Sequence, residues 1–76
     1  MFQEHAQVVL TCRLPALDLS PGDLGVVVHK HGLSTAYEVE FISFDGRTIG
    51  MATLDAGQLR PVAPGAVLHE RLRTAP

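Results

Sequence analysis

The sequence predicts an all-β fold: a small, strongly bent barrel of five short strands, with a helical turn before the last strand and a C-terminal tail. Three observations carry that reading. Apolar residues fall in short runs that alternate at period two, the spacing of a strand with one buried face. The runs are separated by turn dipeptides, Pro21-Gly22 and Asp45-Gly46, rather than by helical stretches. The chain has 76 residues, enough for one domain that buries only about 60% of its unfolded surface. A sheet that small manages its edges by coiling or closing.

The elements follow in order. Ala6 to Arg13 is rich in β-branched residues and free of glycine and proline, which predicts a first strand. Val8, Leu10 and Cys12 share one face of it, with Val9 and Thr11 on the other. Leu14 to Asp23 holds two prolines and reads as a loop, with Pro21-Gly22 as a type II turn because proline presets φ and glycine accepts φ > 0. Its three leucines, Leu14, Leu17 and Leu19, are too many for a solvated loop, so they either cap the core or offer a surface to a partner. Leu24 to His31 is the second strand; Val26, Val27 and Val28 in succession imply burial on both sides or strong coiling, and Gly25 marks a bulge or tight bend. His31 to Thr35 is a connecting loop. Ala36 to Phe44 is the third strand, with Tyr37, Val39 and Phe41 inward and Glu38 and Glu40 outward. Asp45-Gly46 predicts a type I′ hairpin, and Thr48 to Leu54 the returning fourth strand. Asp55 to Gln58 is a helical turn and Leu59 to Val62 a brief last strand, placed at an edge or an end by Pro61, which has no N–H to donate. The barrel is thus expected over residues 1–62 and the tail over 63–76. Leu68 and Leu72 in the tail stand one helical turn apart, but so short a helix frays unless a partner or the barrel accepts its leucines.

Composition excludes several classes. A hydrophobic fraction of 46% is too high for a disordered chain. No apolar run approaches the roughly 18 residues of a membrane helix, and Met1 to His5 has neither the basic nor the apolar part of a secretory signal. The single cysteine cannot form an internal disulfide. Together these lead to the expectation of a cytoplasmic protein with no membrane association. Six Lys+Arg against eight Asp+Glu give a net charge of −2, which disfavours nucleic acid as a partner.

Four segments carry a family resemblance: Ser20-Pro21-Gly22-Asp23-Leu24-Gly25-Val26-Val27-Val28, Ala36-Tyr37-Glu38-Val39-Glu40-Phe41, Asp45-Gly46-Arg47-Thr48 and Gln58-Leu59-Arg60-Pro61-Val62. In this order and spacing, from about Gln7 to Val62, the chain resembles the bacterial family called domain of unknown function 4926. The resemblance implies an SH3-like barrel. It also implies an accessory product encoded beside another small gene, of the sort proposed as the antitoxin or inhibitory half of a pair. The Gly-Asp-x-Gly-x-Val stretch at Gly22 to Val27 is similar to the opening of KOW-type barrels in ribosomal and transcription proteins, and to a small SH3-like docking module of photosystem I. A glycine bend leading into a valine strand meets the same physical need in all of them, and a shared fold does not fix function.

The chemistry-bearing residues are few. His29 and His31 share one face of a strand, and His5 or His69 could join them, but two imidazoles do not close a metal site and no further ligand stands at the right spacing. No metal or cofactor is expected. Cys12 lacks a neighbouring base and shares its face with Val8 and Leu10, so it reads as a small core residue. Glu38 and Glu40 form a solvated outer face rather than an acid–base pair, and no nucleophile with an oriented base is visible, so an enzyme is not expected. Lys30, Arg47 and Arg60, with Arg13 and the aromatics Tyr37, Phe41 and Phe44, could form a stacking patch for single-stranded RNA, which makes a KOW-like RNA contact the alternative function. The preferred expectation is a small protein-binding accessory module, with Leu14, Leu17, Leu19, Leu68 and Leu72 as candidate contacts and a free strand edge open to peptide addition or homodimerisation.

Overall fold

A computed structural model describes residues 2–32, 36–67 and 69–72. The chain is all-β. Five strands, β1 (Gln7–Leu10), β2 (Leu24–Lys30), β3 (Ala36–Ile42), β4 (Thr48–Asp55) and β5 (Leu59–Pro61), form one sheet in the order β4-β3-β2-β1-β5. All pairings are antiparallel, so four strands run as a meander and the fifth returns beside the first. One 3₁₀ turn, Pro15–Leu17, lies in the first loop, and a second, Ala56–Gln58, leads into β5. Five strands with a helical turn before the last are what the sequence predicts.

The core sits on one face of the coiled sheet. Val8 and Leu10 of β1, Val27 of β2, Tyr37, Val39 and Phe41 of β3, Leu54 of β4 and Leu59 of β5 converge there, as the period-two reading requires. Phe2 joins them from the N-terminal segment, its ring edge-to-face with Tyr37 at 5.4 Å and its amide donating to Tyr37 Oη at 3.2 Å. Leu19 caps one end of the core, with Leu14 and Leu17 half-buried against it. The Pro21-Gly22 turn is as expected: Gly22 has φ +98° and Asp23 N–H donates to Ser20 C=O at 3.1 Å.

Three local expectations are corrected. The hairpin after β3 is not type I′, because Asp45 does not have positive φ and only Gly46 does, at +87°. Gly46 N–H donates to Ser43 C=O and Ser43 N–H to Arg47 C=O, closing a turn over Ser43–Gly46 with glycine in the left-handed position that follows it. That turn begins earlier than expected, so β3 stops at Ile42 and Phe44 belongs to the loop. The irregularity in β2 is not at Gly25: Val27 pairs with Val39 and His29 with Glu38, which leaves Val28 as the extra residue. Gly25 instead lies beneath Val39 and Phe41, where no Cβ fits. In the tail, no helix forms among the described residues Val62–Val67 and His69–Leu72, in keeping with the fraying expected of so short a segment, and Leu68 lies outside the described residues.

Candidate functional site

The second face of the sheet carries the site. Val8 and Leu10 point into the core, so Val9 between them points outward, in a row with Leu24 on β2 and Arg60 on β5. Further along the same surface stand Ile42, at the end of β3, and Phe44 in the turn beyond it. Leu24 is 40% exposed, Ile42 45% and Phe44 101%, whereas Val9 is only 4% exposed although it lies outside the core cluster. An open groove of about 600 Å³ runs between these residues and the tail, with Ala63, Ala66, Val67 and Arg71 forming its far wall.

Among the described residues the tail is held there by charge rather than by Leu72. Arg71 Nη2 donates to Asp23 Oδ2 at 2.6 Å and to the Asp18 carbonyl at 3.2 Å, while Nε donates to Asp23 Oδ1 at 3.2 Å. The fork matches the planar guanidinium to both carboxylate oxygens. Asp23 Oδ2 also accepts the Ser20 amide at 2.8 Å, so the turn itself presents the carboxylate to the tail. The hydrogen bond with Asp23 raises the Arg71 pKa further above its already high value. Leu72 is 82% exposed and takes no part in holding the tail.

The family model described as Domain of unknown function (DUF4926) matches residues 4–61. The chain belongs to this family. No curated protein and no solved structure matches the chain. The DUF4926 match contains the sheet side of the groove, Val9, Leu24, Ile42, Phe44 and Arg60, whereas the tail wall follows it in sequence.

The residues singled out by sequence are dispersed over the DUF4926 barrel. Leu19 is 2% exposed and belongs to the core, reaching the groove only at its floor. Leu14 and Leu17 pack against that core, away from the groove. Lys30 and Tyr37 pair at the start of β3 and Arg47 follows its far end, so these two cations lie at opposite ends of a seven-residue strand. Arg60 alone of the three lines the groove. Tyr37 and Phe41 are buried and present no stacking face, which leaves Phe44 as the exposed ring. Arg13 is exposed. His29 and His31 do meet, edge-to-face with centroids 4.9 Å apart, and Glu4 Oε2 lies 3.7 Å from His29 Nδ1. No group of three or more His, Cys, Asp or Glu placed to hold a metal occurs among the described residues. Cys12 is half-buried against the core and its Sγ accepts from Gln58 Nε2 at 3.5 Å. Glu38 and Glu40 are half-exposed on the outer face, Glu40 accepting from the Thr48 hydroxyl at 3.0 Å. No helix among the described residues is long and apolar enough to cross a membrane.

The residues that the sequence reading did not assign to a protein-binding surface are Leu24, Ile42 and Phe44, the last entering it only as an RNA-stacking ring. A signal for the first two exists: each is a large apolar residue on the face opposite its strand's inward set, and the two strands are neighbours. For Phe44 the signal is its place directly before Asp45-Gly46, inside any turn that those residues close.

Proposed function

We propose that this chain is a non-enzymatic accessory module of the cytoplasm that binds another protein through the outer groove. The observation that carries the reading is the contiguous apolar row Leu24, Ile42 and Phe44, exposed on a barrel whose core is already complete without it. Such a row marks an interaction surface, and an exposed aromatic beside aliphatic neighbours has the character of an interface anchor. The tail gives the groove a second wall, and Arg60 and Arg71 supply polar contacts at its rim. Action on the partner is steric: the module covers a surface, as the inhibitory half of a two-gene pair must.

The test is affinity capture from the native lysate with nuclease and high salt present, run in parallel with the wild-type chain and Phe44→Asp. One stoichiometric protein should be retained by the wild type, and Phe44→Asp should lower its affinity by about tenfold or more, the effect of losing an anchor residue. A partner held equally by Phe44→Asp overturns the groove. Binding that disappears with nuclease or salt transfers the function to RNA contact, whose affinity falls steeply as salt rises.

A further inference from the structure

A second surface, the outer edge of β4, meets that groove only at Ile49, next to the turn. β4 ends the sheet, and among the described residues none of the backbone groups of Ile49–Leu54 bonds to any element except β3. Its eight residues, Thr48-Ile49-Gly50-Met51-Ala52-Thr53-Leu54-Asp55, include no lysine and no proline, the residues that commonly blunt an exposed edge. A bulge at Ile49 confines the irregularity to the turn end, and Gly50–Asp55 stay in regular register with Ala36–Phe41. Met51, near the middle of β4, is 52% exposed.

We propose that the β4 edge binds a second copy of this chain, antiparallel and about a two-fold axis through Met51. The charge pattern selects that occupant. Thr48–Leu54 is uncharged, while Arg47 precedes it and Asp55 ends it. An antiparallel copy centred on Met51 sets Gly50 opposite the partner's Ala52 and brings each Arg47 within reach of the partner's Asp55. Arg47 is free for this, since its contact with Asp45, at 3.7 Å, is between exposed groups and is worth little. No like charges are forced together. Glu40, opposite Met51 on β3, stands three strand spacings, about 14 Å, from its symmetry mate, beyond the roughly 8 Å screening length at physiological salt. The product is one continuous sheet through both barrels, with an isologous interface.

Sedimentation equilibrium of the full chain from about 1 µM to about 1 mM should show a concentration-dependent dimer. Met51→Lys, which places two ammonium groups across the axis, should raise the dissociation constant by about tenfold or more with the circular dichroism unchanged. Arg47→Asp should also weaken the dimer, and adding Asp55→Arg should restore it. The register is read by disulfide formation in a Cys12→Ala background. Met51→Cys should cross-link on oxidation, because directly opposed Cα atoms lie about 4.5–5.5 Å apart. Thr53→Cys, offset from its own mate by four residues, should not. A single-chain mass at every concentration, a dimer indifferent to Met51→Lys, or equal cross-linking by Thr53→Cys overturns the proposal. Phe44→Asp leaves this dimer intact, so failure of the groove and failure of the edge are read separately.

Discussion

Gly25 pairs with Val8, and a Cβ built on it would stand 2.6 Å from Val39 Cγ1 and 2.9 Å from Phe41 Cε1. Both neighbours are fully buried on a strand, so neither can step aside. Gly25→Ala is therefore expected to destabilise by about 1–3 kcal/mol through overpacking, read as a lower urea midpoint at unchanged slope. Gly50 makes a useful contrast: its Cβ would meet the tip of the half-buried Leu17 side chain at 2.7 Å, which can rotate away, and Gly50→Ala should be milder. At the β3–β4 turn the Ser43 hydroxyl donates to Asp45 and holds its carboxyl below the usual carboxylate range, with the Arg47 amide adding to the effect. A lowered carboxylate pKa stabilises the fold above the unfolded-state value and loses that contribution as pH falls through the lowered one. Ser43→Ala should return the Asp45 titration, followed by its side-chain carbon resonance, upward toward the ordinary value; an unmoved Asp45 would remove Ser43 as the cause.

The elements show which sequence signals are strong. β3 was legible because Tyr37, Val39 and Phe41 alternate with two glutamates, and only one assignment of faces keeps the charges out of the core. The turn before β5 was legible from Asp55 and Gln58, whose Oε1 accepts the Asp55 amide at 2.9 Å. What escaped were features decided by tertiary contact. The extra residue in β2 is Val28, indistinguishable in type from Val26 and Val27, and its place is set only by how Val27 and His29 meet β3. Phe2 is a core residue because the chain doubles back before β1: Ala6 N–H bonds Gln3 C=O at 3.1 Å and His5 adopts φ +71°. Met1 to His5 holds no period from which that return could be read. The groove escaped for a related reason, since it combines residues of all five strands, a turn and a tail that are brought together only when Arg71 finds Asp23.

On the scale of the molecule, every member of the buried core cluster lies between Phe2 and Leu59. Among the described residues the tail lies over the outer face, where Arg71 is held by Asp23 and the Asp18 carbonyl while Val67 and Leu72 are exposed. The barrel should therefore fold without residues 64–76. Removing them opens the groove side of Val9, worth at most about 1.5–3 kcal/mol if that side chain became fully solvated. The thermal midpoint should fall by roughly 4–8 °C for each kcal/mol lost in a domain this small, with the transition still cooperative. The two proposed surfaces respond differently to the same deletion. The groove loses one wall, so partner affinity should weaken; β4, at the opposite edge of the sheet from β5, meets the groove only at Ile49, so self-association centred on Met51 should persist. Scanning calorimetry and sedimentation of the truncated chain read both at once. A truncated chain that no longer unfolds cooperatively would make the tail part of the folding unit, and a dimer lost together with the tail would place the self-association contact on the groove instead of on β4.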